Sequence, residues 1–273
     1  MKTMNRSTCF FAAIAALLLP LQLFAQPNIA KDTTKYLDSE LYEDNDETPT
    51  YVWFGGGFSV GYLTLNLDDF NKNVAQPFVG TDIKNSVVLY GGQGFFPIQI
   101  ILPIHNLRIG GMGYGGVTKQ CCVPYTASTG QPETRSLTYS VGYGGIMLDY
   151  ALPIRWNRFH VLVGTELGLG GLDLEAVQAA NRTEFDMNNE FDNPSTNITH
   201  TYSSSFFMYK PRVTLEYAPL NFLMIGVAVG YQGTAMGSWK VDGNVGLGNT
   251  DKLNNITASG LVIHAGINIG FFQ

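Results

Sequence analysis

Beyond residue 51 the chain alternates apolar and polar positions with a period of two, in one stretch after another. In 201–217, Phe207, Tyr209, Pro211, Val213, Leu215 and Tyr217 fall on one face, and Met208, Lys210, Arg212, Thr214 and Glu216 on the other. Only an extended strand, whose successive side chains point to opposite sides, separates them so cleanly. Val161, Val163, Thr165, Leu167 and Leu169 stand likewise against His160, Leu162, Gly164, Glu166 and Gly168. Near the end, Leu261, Ile263, Ala265, Ile267, Ile269 and Phe271 stand against Val262, His264, Gly266, Asn268 and Gly270. The same pattern predicts strands over 52–66, 86–101, 107–118, 136–152, 159–175, 201–217, 222–237 and 257–272.

The less apolar face decides what surrounds these strands. A soluble sandwich would present a solvated face dense in Lys, Glu and Thr. Here that face is largely glycine with isolated charges, which suits a narrow barrel lumen whose apolar exterior meets lipid. The connections agree. Long polar stretches near 67–85, 119–135, 176–200 and 238–256 alternate with short links at 102–106, 152–157 and 218–221, each short link carrying a proline (Pro103, Pro153, Pro219). The expected fold is therefore all-β, an up-and-down antiparallel transmembrane β-barrel of about eight strands over 51–273, with short turns and both termini in the periplasm of a Gram-negative bacterium. Trp156, Phe159, Tyr217 and Phe222 would form an aromatic girdle near the short turns, and Tyr139, Tyr202 and Tyr231 the opposite one.

Composition strengthens the membrane reading: 45% of residues are apolar and only 14% charged, against roughly 25% charged in an ordinary soluble domain. Lys2 and Arg6, the apolar run Phe10 to Leu19 and the Leu23-Phe24-Ala25 site read as a signal peptide over 1–25, with Gln26 the expected mature start. Pro20 and Gln22 cut that run short of a spanning helix. Residues 26–50 carry two lysines against seven carboxylates, a net charge of −5, and read as an acidic disordered periplasmic leader. No basic cluster suits a nucleic-acid partner.

With its eight predicted strands and alternating loops, the region 51–273 resembles the small eight-stranded outer-membrane barrels that include the OmpA membrane domain and OmpX. The resemblance is architectural. It implies a C-terminal assembly signal, which His264, Gly266, Ile269 and Phe271 match in spacing, although the chain ends on Gln273 where many members end on an aromatic. It also implies outer-membrane lipid, lipopolysaccharide and the barrel-assembly machinery as partners.

Some relatives of that kind modify lipid A with histidine and serine. Here His264 and Ser259 are five residues apart on one predicted strand, hence on opposite faces and roughly 17 Å apart. His160 is a second candidate. His200, beside Ser203, Ser204 and Ser205, is the better placed, but nothing local marks an activated nucleophile. The stretch 186–192 (Asp-Met-Asn-Asn-Glu-Phe-Asp) spaces oxygen ligands as calcium loops do, yet Phe191 replaces the turn glycine and Asn197 the closing glutamate. Cys121 and Cys122 leave a vicinal disulfide, an intermolecular link and two free thiols open, and they fall short of zinc's four ligands. No cofactor is expected.

The expected role is non-enzymatic: envelope structure, or presentation of long loops to a surface ligand the sequence does not identify. A narrow pore or transporter for small or hydrophobic molecules is the first alternative, and a lipid-A-modifying enzyme the second. What separates pore from plug is the lumen. Inward parity assigns it Arg108, Asp149, Glu166, Lys210, Arg212 and Glu216, with opposite charges on consecutive strands, and an eight-stranded barrel is narrow enough for such side chains to meet in a polar network.

Overall fold

The computed structural model describes residues 53–100, 104–126, 132–154, 158–180, 198–243, 245–246 and 256–272. Eight strands form the wall: β1 (Trp53–Leu65), β2 (Ser86–Pro97), β3 (Leu107–Thr126), β4 (Pro132–Ala151), β5 (Phe159–Ala180), β6 (Ile198–Leu220), β7 (Leu223–Met236) and β10 (Gly260–Phe272). Each pairs antiparallel with its chain neighbour, β7 pairs with β10, and β10 with β1, so the sheet closes without a free edge along its common height. Two short strands, β8 (Lys240–Val241) and β9 (Val245–Gly246), extend the sheet beside β6. The expected leader regions 1–25 and 26–50, and the candidate cation loop 186–192, lie outside the described residues.

The wall has two ends. At the terminal end lie Trp53, Phe272 and the short turns, where Asn106 (φ 62°) and Arg158 (φ 59°) reverse the chain. Pro219 falls in a register shift between Tyr217 and Leu220, where its missing N–H breaks no ladder bond. Pro211 does break one: β6 pairs with β5 through Pro211, but no pair to β7 forms between Tyr209 and Arg212.

At the loop end the structure departs from the predicted boundaries. β3 runs on to Thr126, β4 starts at Pro132, β5 runs to Ala180 and β6 starts at Ile198, so these four strands project beyond the rest. Cys121 and Cys122 therefore lie within β3, at a register shift between Gln120 and Val123, and not in a loop; their side chains lie outside the described residues. The first long connection is not irregular either. It folds into Asp68–Phe70, a π-helical turn Asn71–Ala75 and Gln76–Val79, a flap whose Phe70, Val79 and Ile83 fill the barrel mouth.

Outward apolar residues form a continuous belt. Val163, Val213, Val229, Ile263, Tyr62 and Val88 make one hydrogen-bonded row across six strands, all turned outward. On β6 the belt runs from Phe207 to Tyr217, eleven residues, matching the roughly 9–11 a tilted strand needs to cross a bilayer. Beyond it the outward positions turn polar: Asp173 and Glu175 on β5, Thr138 and Ser140 on β4, Thr201, Ser203 and Ser205 on β6. Tyr139, expected in the outer girdle, points inward and is fully buried, because at that height the interior is the apolar side. Tyr231 and Phe222 are exposed, and Phe159 stacks on Tyr217 at 4.5 Å; Trp156 lies outside the described residues.

Candidate functional site

The six parity-assigned charges are all buried at mid-lumen, each at most 6% exposed. Two pairs follow from strand register alone. Arg108 lies directly across from Asp149, with Nε 3.0 Å from Oδ2, and Glu166 across from Lys210, with Oε2 2.5 Å from Nζ. Two more require the closed tube. Arg108 donates from Nη1 and Nη2 to Glu216 on β6, at 2.9 and 2.7 Å across the lumen. Arg212 donates to both Asp149 oxygens at 3.2 and 2.8 Å and to Glu166 Oε1 at 2.5 Å.

Gly164 makes the second of these reaches feasible. Asp149, Gly164 and Arg212 occupy one row across β4, β5 and β6, so the guanidinium must pass over β5 to reach the carboxylate. A Cβ at 164 would overlap that carboxylate. The resulting chain alternates in sign: Glu216, Arg108, Asp149, Arg212, Glu166, Lys210. Three cations meet three anions: forked arginine contacts hold Glu216 and Asp149 bidentately, and Glu166 lies between one Arg212 N–H and the Lys210 ammonium, the kind of pairing under which ions persist in a low-dielectric interior. His264 continues the chain, its Nε2 3.4 Å from Lys210 Nζ and its ring edge-on to Tyr114, which accepts a 2.7 Å hydrogen bond from Ser59.

Two apolar layers enclose this network. Toward the loop end stand Met112, Tyr114, Tyr143, Phe206 and Met208, continuous with the flap. Toward the terminal end stand Trp53, Phe95, Met224 and Phe272, clustered with Met147 of the network's own row, and the Arg108 guanidinium lies 4.1 Å above the Phe95 ring. Two voids beside the network measure about 20 Å³, bordered by Ser59, Thr214, Glu216, His264 and Asn268, and about 10 Å³, bordered by Trp53 and Arg108. Each has room for about one water at most. The far larger recess, about 550 Å³, is an open hollow on the flap's outer side, lined by Asp68, Lys72, Gln76 and Asp82 and remote in chemistry from the ions.

The other sequence candidates have different surroundings. Gly266 faces inward, where a Cβ would press on Ser59, while Ile269 and Phe271 face outward on β10, the strand that closes the barrel against β1. His160 lies edge-on to Trp53 with ring centroids 4.1 Å apart. Exposed His200 places Nδ1 3.0 Å from Asp242 Oδ2, and the Thr201 N–H reaches Asp242 Oδ1 at 2.9 Å. These contacts, the backbone bond first, hold the Asp242 carboxyl below the usual carboxylate range. They fasten β8 to β6. Ser204, of the nearby serine run, donates to the Gly237 carbonyl at 3.1 Å, and Ser259 pairs with Thr234 at 2.8 Å.

No protein-family model and no curated protein matches the chain. Among solved structures, it is similar to Ail, the attachment invasion locus protein of Yersinia pestis, crystallised with the heparin analogue sucrose octasulfate, at 13% identity and a TM-score of 0.35 over 81% of this chain and 99% of that one. Acinetobacter baumannii CarO matches at 15% identity and 0.31, covering 80% and 97%. A major outer membrane protein of Thermus thermophilus matches at 11% and 0.37, covering 79% and 99%.

Proposed function

We propose that this protein is a closed outer-membrane barrel that serves the envelope without catalysis, as a structural element and as a scaffold presenting its loop end to the outside. The apolar belt, of bilayer-spanning height, supports membrane residence. A single observation carries the choice of a plug over a pore: the paired-ion network lies between two apolar layers, with voids of about 20 and 10 Å³ beside it. On this reading the loop end is extracellular, both termini are periplasmic, and Gln26 begins the mature chain. Lipid and lipopolysaccharide surround the belt, and β10 carries the signal read by the assembly machinery.

Single-channel recording on the refolded protein in planar bilayers tests the closed lumen, with negligible conductance expected. Stable, voltage-independent ion currents would overturn it and move transport to first place. Sidedness has its own check. A protease site inserted near Asn188 should be cut in intact cells and one near Asn157 protected; the reverse would invert the barrel.

A further inference from the structure

The flap over the barrel mouth is built as a separate body. Asn71 braces it internally, accepting from the Ile83 N–H at 2.9 Å and donating to the Ile83 carbonyl at 3.0 Å and to Asn85 Oδ1 at 3.2 Å. Asn85 donates to Asp68 at 3.2 Å and Gln76 to Asp82 at 3.0 Å. Its base is narrow: the β1–β2 ladder ends at Thr64 and Ser86, followed by one bond from the Leu65 N–H to the Asn85 carbonyl at 2.9 Å. Its tip turns back at Gly80, in the left-handed region at φ 70°. The helical stretch is amphipathic. Phe70, Ala75 and Val79 are buried in the mouth, while Asp69, Lys72, Asn73 and Gln76 face out.

Opposite the hinge, Arg135 of the projecting wall grips the tip. Arg135 of β4 donates from Nη1 to the Phe78 carbonyl at 3.1 Å, and its guanidinium lies 5.0 Å from the Phe78 ring centroid. The wall holds that guanidinium in place by itself. Tyr125 of β3 stacks on it at 3.3 Å, Gln178 of β5 accepts its Nε–H at 2.9 Å, and Gln178 in turn donates to Glu133 at 2.5 Å. The receptor is therefore organised on β3, β4 and β5, whereas the flap contributes one carbonyl and one ring.

We propose that residues 66–85 are a hinged lid, latched by Arg135, that closes an apolar mouth. Among the described residues the flap is braced within itself, joined to the barrel at a two-strand base and gripped at its tip by Arg135, with Phe70, Val79 and Ile83 packed into the mouth; such a body opens as a unit before the wall does. Opening turns Leu63, Val87, Leu137, Tyr139 and Leu172, now beneath the lid, into an apolar funnel facing the medium, floored by the Met112, Tyr114, Tyr143, Phe206 and Met208 layer that covers the ion network. The closed lid replaces that funnel with a polar outer surface.

Hydrogen–deuterium exchange on the folded full-length protein in lipid nanodiscs tests this, with the heat-modifiable mobility of the folded barrel on gels as the integrity control. In Arg135→Ala, peptides from 68–79 should exchange about tenfold faster, the loss of one charge-assisted contact, while peptides from 132–141 and 172–180 keep wild-type rates. Phe78→Ala, which leaves the wall intact, should accelerate the same flap peptides by about threefold, and carries the test if Arg135→Ala does not fold. Unchanged flap exchange in both variants would overturn the proposal. So would an equal loss of protection in the wall, which would make Arg135 a part of the sheet and not a latch.

Discussion

The belt and the projecting wall are built from the same strands with opposite chemistry. On β5, the belt has Val163 and Leu169 outside and Glu166 inside; a few residues on, Asp173 and Glu175 are outside and Leu172 and Leu174 inside. β6 repeats the inversion, from Val213 outside with Arg212 inside to Ser203 outside with Phe206 inside. Across this inversion the period-two alternation does not slip: it runs unbroken from Val163 to Glu175 on β5 and from Ser203 to Tyr217 on β6. What changes is the solvent: where lipid lies outside, apolar side chains go out and ions pair within, and where water lies outside, an ordinary apolar core forms within. A single strand thus records the height of the bilayer in the residue at which its pattern inverts.

That contrast can be broken from the inside first. Arg212→Ala leaves Asp149 and Glu166 short of a partner at mid-lumen, and unfolding by urea in lipid vesicles should show a loss of about 3–5 kcal/mol. Combining it with Glu166→Ala should cost less than the sum of the two single variants, since they share one network. Additive, sub-kcal effects would mean that water solvates these ions separately. Gly164→Val should cost at least as much as Arg212→Ala in the same assay, because its Cβ overlaps the Asp149 carboxylate that Arg212 holds and the Leu148 carbonyl behind it.

From the outside the effects are smaller. Val213→Arg puts a charge in the centre of the belt and should destabilise the barrel by about 2–4 kcal/mol in vesicles. Ser203→Arg, ten residues along the same face, should stay within about 0.5 kcal/mol. Equal costs at the two sites would erase the boundary between belt and wall. The smallest effect lies at the rim. The Asp242 carboxyl is held below its ordinary range when folded, so its contribution is fully present above the unfolded value and is lost as pH falls through the lowered folded one. Exchange protection of β8 should therefore fall selectively in acid below the ordinary carboxylate range, and Asp242→Asn should remove that pH dependence while leaving β6 within the belt unaffected.

Much of the wall was legible because period-two patterning is local. Each strand within the belt could be placed, and the faces of Glu166 and Arg212 assigned, from neighbouring residues alone. The upper parts of β3 to β6 were harder to read. Lys119 and Thr126 on β3 and Thr134 and Ser136 on β4 present a polar outward face, and a polar strand face looks like a loop when lipid is the assumed surroundings. The flap was missed for a related reason: its helical segment is only twelve residues, interrupted by a π turn, and its apolar positions make sense only once there is a mouth for them to fill.

Strand number, face and the inward set of charges were thus determined by the sequence itself, since alternation along a strand needs no knowledge of distant residues. Closure of the tube decided the rest. Arg108 meets Glu216 only because β3 and β6 face each other across a narrow lumen. Arg212 meets Asp149 only because Gly164 leaves a gap in the strand between them. Tyr139 turns inward because apolar surface is the stable interior once water, and not lipid, lies outside.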